Sequence, residues 1–148
     1  MKTIFDEATR DEVIQRIASL NEKSAANWGK MNISQMLRHC ALYEEMILRG
    51  HNQRQTLIGR IVGKRVLRDF IRDESPIKRN LPTLAQLRVS ESGGDINLLK
   101  DRWISLIREF GRYSESHFTH PFFGKMTKEQ VGHLGYKHTD HHLRQFGA

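Results

Sequence analysis

Two histidines near the end of the chain stand four residues apart, in the segment KHTDHHLRQF (137–146). An α-helix turns about 100° and rises about 1.5 Å per residue, so the rings of His138 and His142 are predicted to share one helix face, about 6 Å apart. That spacing lets two imidazoles ligate one ion. Leu134 and Phe146 lie on the same face, so the pair is predicted to point towards the core. There a cation would satisfy acceptor nitrogens that are costly to bury without a partner.

A third candidate ligand, His39, lies far upstream on the apolar stripe of an early helical segment, between Met36 and Tyr43. One ligand from an early helix and two from a late one would hold a metal from three directions. Such a site leaves positions for water or substrate, as catalytic metal sites do. Three imidazoles suit zinc, nickel, cobalt, copper or iron. The alternative is that each histidine is an ordinary residue with a hydrogen-bond partner, since a lone histidine on an apolar stripe usually needs no ion.

The other five histidines are expected to have lesser roles. His141 lies on the far side of the pair and is predicted to support the ligands or to face solvent. His120 precedes a proline and is expected to fix the turn before the last helix. His117 and His133 could extend the cluster, whereas His51 is predicted to lie at the surface.

Three residues beside the candidate ligands have two interpretations each. Tyr43 and Gln145 are candidates for hydrogen bonds to the ligand histidines, with packing or helix-end bonding as the alternative. Cys40, next to His39, is predicted to point about 100° away from it and to be a small buried residue rather than a nucleophile.

Amphipathic periodicity and capping signals predict the elements that position these residues. Three capping boxes are proposed: Thr9 with Glu12, Asn32 with Gln35, and Thr127 with Gln130. The predicted helices cover about 9–21, 32–50, 56–72, 95–113 and 127–146. The third has a wide apolar face that is expected to touch more than one neighbour. Segment 73–94 is predicted to wrap the domain as an extended connection, pinned by Leu84, Leu87 and Val89, and 117–126 is predicted to be a loop.

The length and composition fit one globular domain. The 148 residues are 38% hydrophobic and 28% charged, and single domains commonly hold about 100 to 200 residues. No apolar run approaches the about 20 residues of a transmembrane helix, and early acidic residues leave no secretory signal. A single cysteine excludes an internal disulfide and favours a cytoplasmic location. The fold class is therefore predicted to be all-α, a helical bundle over residues 1–148.

Positive charge is concentrated in one stretch of the chain. Residues 49–79 hold nine lysines and arginines against three acids, and so carry six of the seven net positive charges. In the third helix, Lys64, Arg65, Arg68 and Arg72 could contact phosphates or an anionic membrane surface. No aromatic platform or known nucleic-acid motif accompanies them, so nucleic-acid binding is disfavoured. A solvated face, an attractor of anionic substrates and a dimer rim remain as alternatives.

Three segments resemble a known family: NWGKMNISQMLRHCA (27–41), HPFFGKMTKEQVG (120–132) and YKHTDHHLRQF (136–146). Together they are similar to the DinB/YfiT-like metal-dependent superfamily, in particular a bacterial DinB-like branch of unknown function, over nearly the whole chain. The resemblance implies a four-helix bundle with an additional short helix or long wrapping loops. It also implies a metal site at His39, His138 and His142 that binds zinc, nickel or a similar divalent ion.

The resemblance further implies a chemistry. Better-understood relatives use low-molecular-weight thiols in transferase or isomerase reactions, and dimers are frequent. We therefore expect a small-molecule substrate, a thiol among the candidates, and a homodimer, with the metal activating a bound thiol or water for transfer or hydrolysis. Two alternatives stand beside the enzyme: a non-catalytic bundle with structural histidines, and a basic module that binds anionic ligands or nucleic acid.

Overall fold

The structure is a computed structural model that describes residues 1–50 and 53–148. The predicted surface position of His51 lies outside the described residues. Within them the chain forms five α-helices: α1 Glu7–Ser19, α2 Ile33–Arg49, α3 Leu57–Phe70, α4 Ile96–Glu109 and α5 Lys128–Gln145. A hairpin of two antiparallel strands, β1 His117–His120 and β2 Gly124–Thr127, precedes α5. Two single 3₁₀ turns occupy Ala85–Leu87 and Phe110–Arg112.

The molecule is mainly helical, as the all-α prediction requires, but the hairpin was not predicted. The expected loop at 117–126 instead forms two four-residue strands, with His117 opposite Thr127 and His120 opposite Gly124. Phe118 and Met126 point inwards from the two strands. Strands this short give too few apolar alternations for a period of two to be recognised in the sequence.

Side-chain capping explains where the helices begin, and two of the three predicted capping boxes form. Asn32 with Gln35 and Thr127 with Gln130 form the two predicted capping boxes. The predicted box at Thr9 is wrong, because Asp6 caps α1 by accepting hydrogen bonds from both the backbone N–H and the hydroxyl of Thr9. A carboxylate at the N-cap satisfies these donors and also interacts favourably with the helix dipole.

α3 differs most from expectation. Its wide apolar face does not pack against several neighbours: Leu57, Ile58 and Ile61 are exposed. The buried face carries Gly59, Gly63 and Leu67 instead. The reason is the small size of glycine, which lets this side of α3 approach the hairpin closely.

The core lies between α1, α2, α4 and α5 and contains fully buried large residues. Among these are Ile17, Leu37, Trp103, Ile107 and Leu143. The connection 73–94 wraps this core as predicted, since Leu87 is buried and Leu84 and Val89 are partly buried. None of the helices in the described ranges has both the length and the apolar character needed to cross a bilayer. The core packing brings the inner faces of α2 and α5 together, and these faces carry the candidate ligands.

Candidate metal centre

The three predicted ligands converge at one point between α2 and α5. The ring centroid of His39 lies 5.3 Å from that of His138 and 4.8 Å from that of His142, and the last two are 4.8 Å apart. One ring nitrogen from each residue lies within 4.8 Å of the other two. His39 and His142 are buried, and His138 is partly exposed. The arrangement could therefore hold one metal ion.

Hydrogen bonds to the outer ring nitrogens fix how two of these rings can bind an ion. His39 Nδ1 lies 2.9 Å from the carbonyl oxygen of Leu87, and His142 Nδ1 lies 2.8 Å from Gln145 Oε1. Both partners are acceptors, so each Nδ1 must carry the proton and donate it. The Nε2 lone pairs of His39 and His142 are then free to face the centre, the tautomer that ligating histidines adopt.

The third ring, His138, completes the set of nitrogens. Its Nε2 lies 3.3 Å from Nε2 of His39, so it could donate one hydrogen bond there. That proton would still leave Nε2 of His142 without a donor among the described residues. Nδ1 of His138 is buried without a partner among them, and an ion bound at Nε2 would not change this. A cation at the centre would satisfy all three Nε2 atoms at once, so the donor set fits a metal.

Burial keeps the three rings neutral. It lowers the pKa of His142 to about 3, with a smaller contribution from His39. The pKa of His138 falls well below its usual range because of burial and the neighbouring histidines. Burial also lowers the pKa of His39, although its bond to Leu87 opposes the shift. Neutral imidazole is the form that binds a metal, so at neutral pH the ligands are ready without losing a proton.

A relay of hydrogen bonds holds His142 from behind. Gln145 accepts from His142 and donates through Nε2 to the carbonyl of Trp28, at 2.7 Å. The next residue, Gly29, has a φ of 84°, and a Cβ there would lie 2.6 Å from Gln145 Nε2. Glycine is therefore required for the loop to come this close. Gln145 was a candidate for a hydrogen bond to a ligand histidine, and that histidine is His142.

Tyr43 and Cys40 also lie near the ligands, on α2. The ring of Tyr43 stacks on that of His138, with centroids 3.6 Å apart, and its hydroxyl is buried with no hydrogen-bond partner in the described part of the chain. Cys40 is fully buried, and burial raises the pKa of its thiol well above the usual range. Its protonated Sγ lies 3.6 Å from Met36 Sδ. Cys40 is thus the small buried residue that was predicted.

The remaining described histidines lie outside the cluster. His120 is buried, and its Nδ1 accepts hydrogen bonds from the backbone N–H groups of Phe122 and Phe123, so it fixes the hairpin turn as predicted. Burial lowers its pKa to about 4. His141 packs its ring 5.1 Å from that of His142. His117 and His133 bond to Ser116 and the carbonyl of Lys2, away from the site.

Two backbone carbonyls that support the site, those of Leu87 and Trp28, were not predicted. A carbonyl is present at every residue, so no residue type marks it in a sequence. The only available signal was indirect: Leu87 is an apolar residue in a polar connection, and Gly29 follows Trp28 in a loop. The contacts themselves depend on how the loops fold back.

A cleft of about 260 Å³ is lined by none of the three candidate ligands, and it reaches the centre only through His141, whose ring lies 5.1 Å from that of His142. Its lining includes Trp28, Arg79, His141 and Arg144. The guanidinium of Arg79 lies over the Trp28 ring, 4.2 Å from its centroid. Arg144 is paired with Asp140 at 2.6 Å, so Arg79 is the cationic side chain in this lining that has no acidic partner among the described residues. A cleft with one such cation and an aromatic ring suits a small molecule that carries negative charge.

Fold and site together define a mainly helical protein with three converging histidines that could hold a metal ion. The chain belongs to the family described as protein of unknown function (DUF1569), whose model matches residues 5–148. No curated protein and no solved structure matches it.

Proposed function

We propose that this protein binds one divalent metal ion, zinc or nickel, through Nε2 of His39, His138 and His142. The observation that carries the proposal is that one ring nitrogen from each histidine lies within 4.8 Å of the other two. Their rings are buried or partly buried and held neutral. Imidazole nitrogens suit both zinc and nickel, and three protein ligands are typical of metal sites that act on a substrate.

The fold that we propose around this site is a DinB-like four-helix bundle made of α1, α2, α4 and α5. These four helices pack against one another, whereas α3 packs mainly against β2. In this arrangement α3 is the additional helix and 73–94 is the long wrapping connection. The resemblance of three sequence segments to the DinB/YfiT-like superfamily supports the assignment.

The activity that we propose is metal-dependent transfer or hydrolysis on a small molecule, with a low-molecular-weight thiol as co-substrate in the transfer reaction. A bound divalent ion supplies a Lewis acid that lowers the pKa of a thiol or water. The protein's own contribution is to fix the ligands: Leu87 orients His39, and Gln145 orients His142. The cleft lined by Trp28, Arg79 and His141 would bind the substrate next to these ligands.

Elemental analysis of untagged protein tests the metal site. We expect about one ion per chain in the parent and none in His39→Ala or His142→Ala. His133→Ala is the matched control, because His133 is a half-buried histidine outside the cluster, and it should keep the ion. Equal trace metal in all four proteins would contradict the proposal and leave the histidines as structural residues joined by the bond between His39 and His138.

A further inference from the structure

The outer face of α3 presents an apolar patch to solvent. Leu57 is 76% exposed, Ile58 68% and Ile61 83%, with Val62 beside them at 38%. These four residues occupy the first two turns of one helix, and they are most of the large exposed apolar residues in the described part of the chain. Contiguous apolar patches of this kind mark interaction surfaces.

The patch faces outwards because the opposite side of α3 packs against the hairpin. Its inner face approaches the hairpin turn through Gly59 and Gly63, and a Cβ at these positions would lie 2.3 Å and 2.2 Å from the carbonyl oxygen of Phe122. Turning the helix to bury Leu57 or Ile61 would put bulky side chains where only hydrogen fits. The exposure is therefore a consequence of tight packing on the opposite side.

Basic side chains continue the same face. Arg60 lies beside the patch, and Arg65 and Arg68 follow it in the last two turns, all exposed. Within residues 1–50 and 53–148, none of these three arginines forms an ion pair with an acidic side chain. Lys64 is also exposed on α3, where it donates a hydrogen bond to the carbonyl of Lys125 on β2. The outer face thus combines an apolar half with a basic half, and it carries one exposed acid, Asp69.

We propose that this outer face of α3 docks the protein on an anionic phospholipid bilayer. Leu57, Ile58 and Ile61 would enter the boundary between headgroups and acyl chains, and Arg65 and Arg68 would contact lipid phosphates. Helices that lie in the membrane interface have this combination of an apolar face and lysine or arginine. Each basic residue near an anionic leaflet adds to the attraction.

Other partners would interact favourably with either the apolar or the basic residues of this surface, but not with both. A symmetric dimer centred on Ile61 would bring Arg60, Lys64 and Arg65 close to their own copies, and like charges would repel. Nucleic acid would pair with the basic residues and leave Leu57 and Ile61 in water. An anionic bilayer would bury the apolar residues and also pair with the basic ones. This inference does not depend on the proposed metal site.

Co-sedimentation of the full chain with lipid vesicles tests the proposal. We expect binding to vesicles of phosphatidylcholine with phosphatidylglycerol that is about tenfold or more tighter than binding to phosphatidylcholine alone, and weaker at high salt. Ile61→Ser and Arg65→Glu should each weaken binding about tenfold. Leu98→Ser and Arg112→Glu are the matched controls, because Leu98 is 68% exposed on α4 and Arg112 is exposed beyond it. Both should bind as the parent does.

Three results would overturn the proposal. The first is no binding to the anionic vesicles, and the second is equal binding by Ile61→Ser, Arg65→Glu and the parent. The third is a dimer in light scattering that Ile61→Ser converts to monomer, which would make a second copy the occupant. Equal melting temperatures across the variants show that they fold, which we expect because the substituted side chains are exposed.

Discussion

At the scale of single residues, the candidate centre depends on which nitrogen of each ring carries the proton. Gln145 settles this for His142, since its amide oxygen can only accept while its amide nitrogen is held by the Trp28 carbonyl. Removing such a support typically lowers metal affinity about 10- to 100-fold. We therefore expect Gln145→Leu to weaken zinc binding by this factor, as measured by competition with a chromophoric chelator.

The control for that measurement is Gln15→Leu, because Gln15 is exposed on α1, away from the site. It should bind zinc as the parent does. Equal affinity in Gln145→Leu and the parent would mean that the outer hydrogen bond has no part in preparing His142.

A second residue-scale prediction concerns Glu44, whose carboxyl is fully buried on α2. Oε1 accepts from the Thr139 hydroxyl at 3.0 Å, and Oε2 has no hydrogen-bond partner among the residues that the structure describes. Burial raises its pKa from the ordinary 4.5 to about 8. Between these values the folded protein binds one proton more than the unfolded chain at this residue, so its contribution to stability falls as pH rises.

Glu44→Gln should remove that dependence, since a glutamine can still accept from Thr139 and does not ionise. We expect the variant to gain stability relative to the parent as pH rises from 5 to 8, measured by chemical denaturation at each pH. Glu45→Gln is the control, because Glu45 is partly exposed and paired with Arg102. A constant difference between Glu44→Gln and the parent across this range would contradict the raised pKa.

At the scale of elements, the contact between α3 and the hairpin rests on two glycines. A methyl group at Gly63 would lie 2.2 Å from the Phe122 carbonyl oxygen, and backbone cannot yield as a flexible side chain can. Overpacking of this kind costs about 1–3 kcal/mol. Gly63→Ala should therefore lower the free energy of unfolding by about this amount and increase proteolysis near α3.

Gly111→Ala is the matched control, since the Cβ there would meet a side chain, Arg10 at 3.1 Å, rather than backbone. Its stability should stay within about 0.5 kcal/mol of the parent, as for most surface substitutions. If Gly63→Ala were as stable as Gly111→Ala, the close approach of α3 to the hairpin would be wrong.

The elements were predictable where local signals decide them. The capping boxes at Asn32 and Thr127, together with a period of 3.6, locate α2 and α5, and hence the candidate ligands, from sequence alone. The face that α3 buries was not predictable, because it depends on a hairpin distant in sequence. Glycine in a helix usually marks weak propensity, whereas here Gly59 and Gly63 mark the contact.

In the candidate site, the ligands were predictable from the sequence, whereas the groups that support them were not. The spacing of His138 and His142 follows from helix geometry, and their meeting with His39 was predicted from the apolar stripes on two helices. The supports of those rings were harder to predict, because Leu87 and Trp28 contribute backbone carbonyls from loops. Periodicity predicts helix faces, but it does not determine the path of a connection.

At the scale of the whole molecule, a bound ion would join parts of the chain that are distant in sequence. His39 and His138 are 99 residues apart, so metal binding and folding are coupled. Free zinc at about 1,000 times its dissociation constant should raise the free energy of unfolding by about 4 kcal/mol. We expect this increment in the parent and in His133→Ala, and not in His39→Ala, from chemical denaturation with and without zinc.

The pH dependence of that increment follows from the ring pKa values. The pKa of each folded ring lies below the ordinary 6.5, and that of His142 is about 3. Below pH 6.5 these three histidines become protonated in the unfolded chain but stay neutral in the folded protein. The free energy of unfolding of the metal-free protein therefore decreases as pH falls towards 3. In the folded state protons compete poorly with zinc in this range, so the increment should persist when pH falls from 7 to below 6. An increment that disappears as pH passes 6.5 would show that the rings titrate as exposed histidines do, and the buried neutral centre would be wrong.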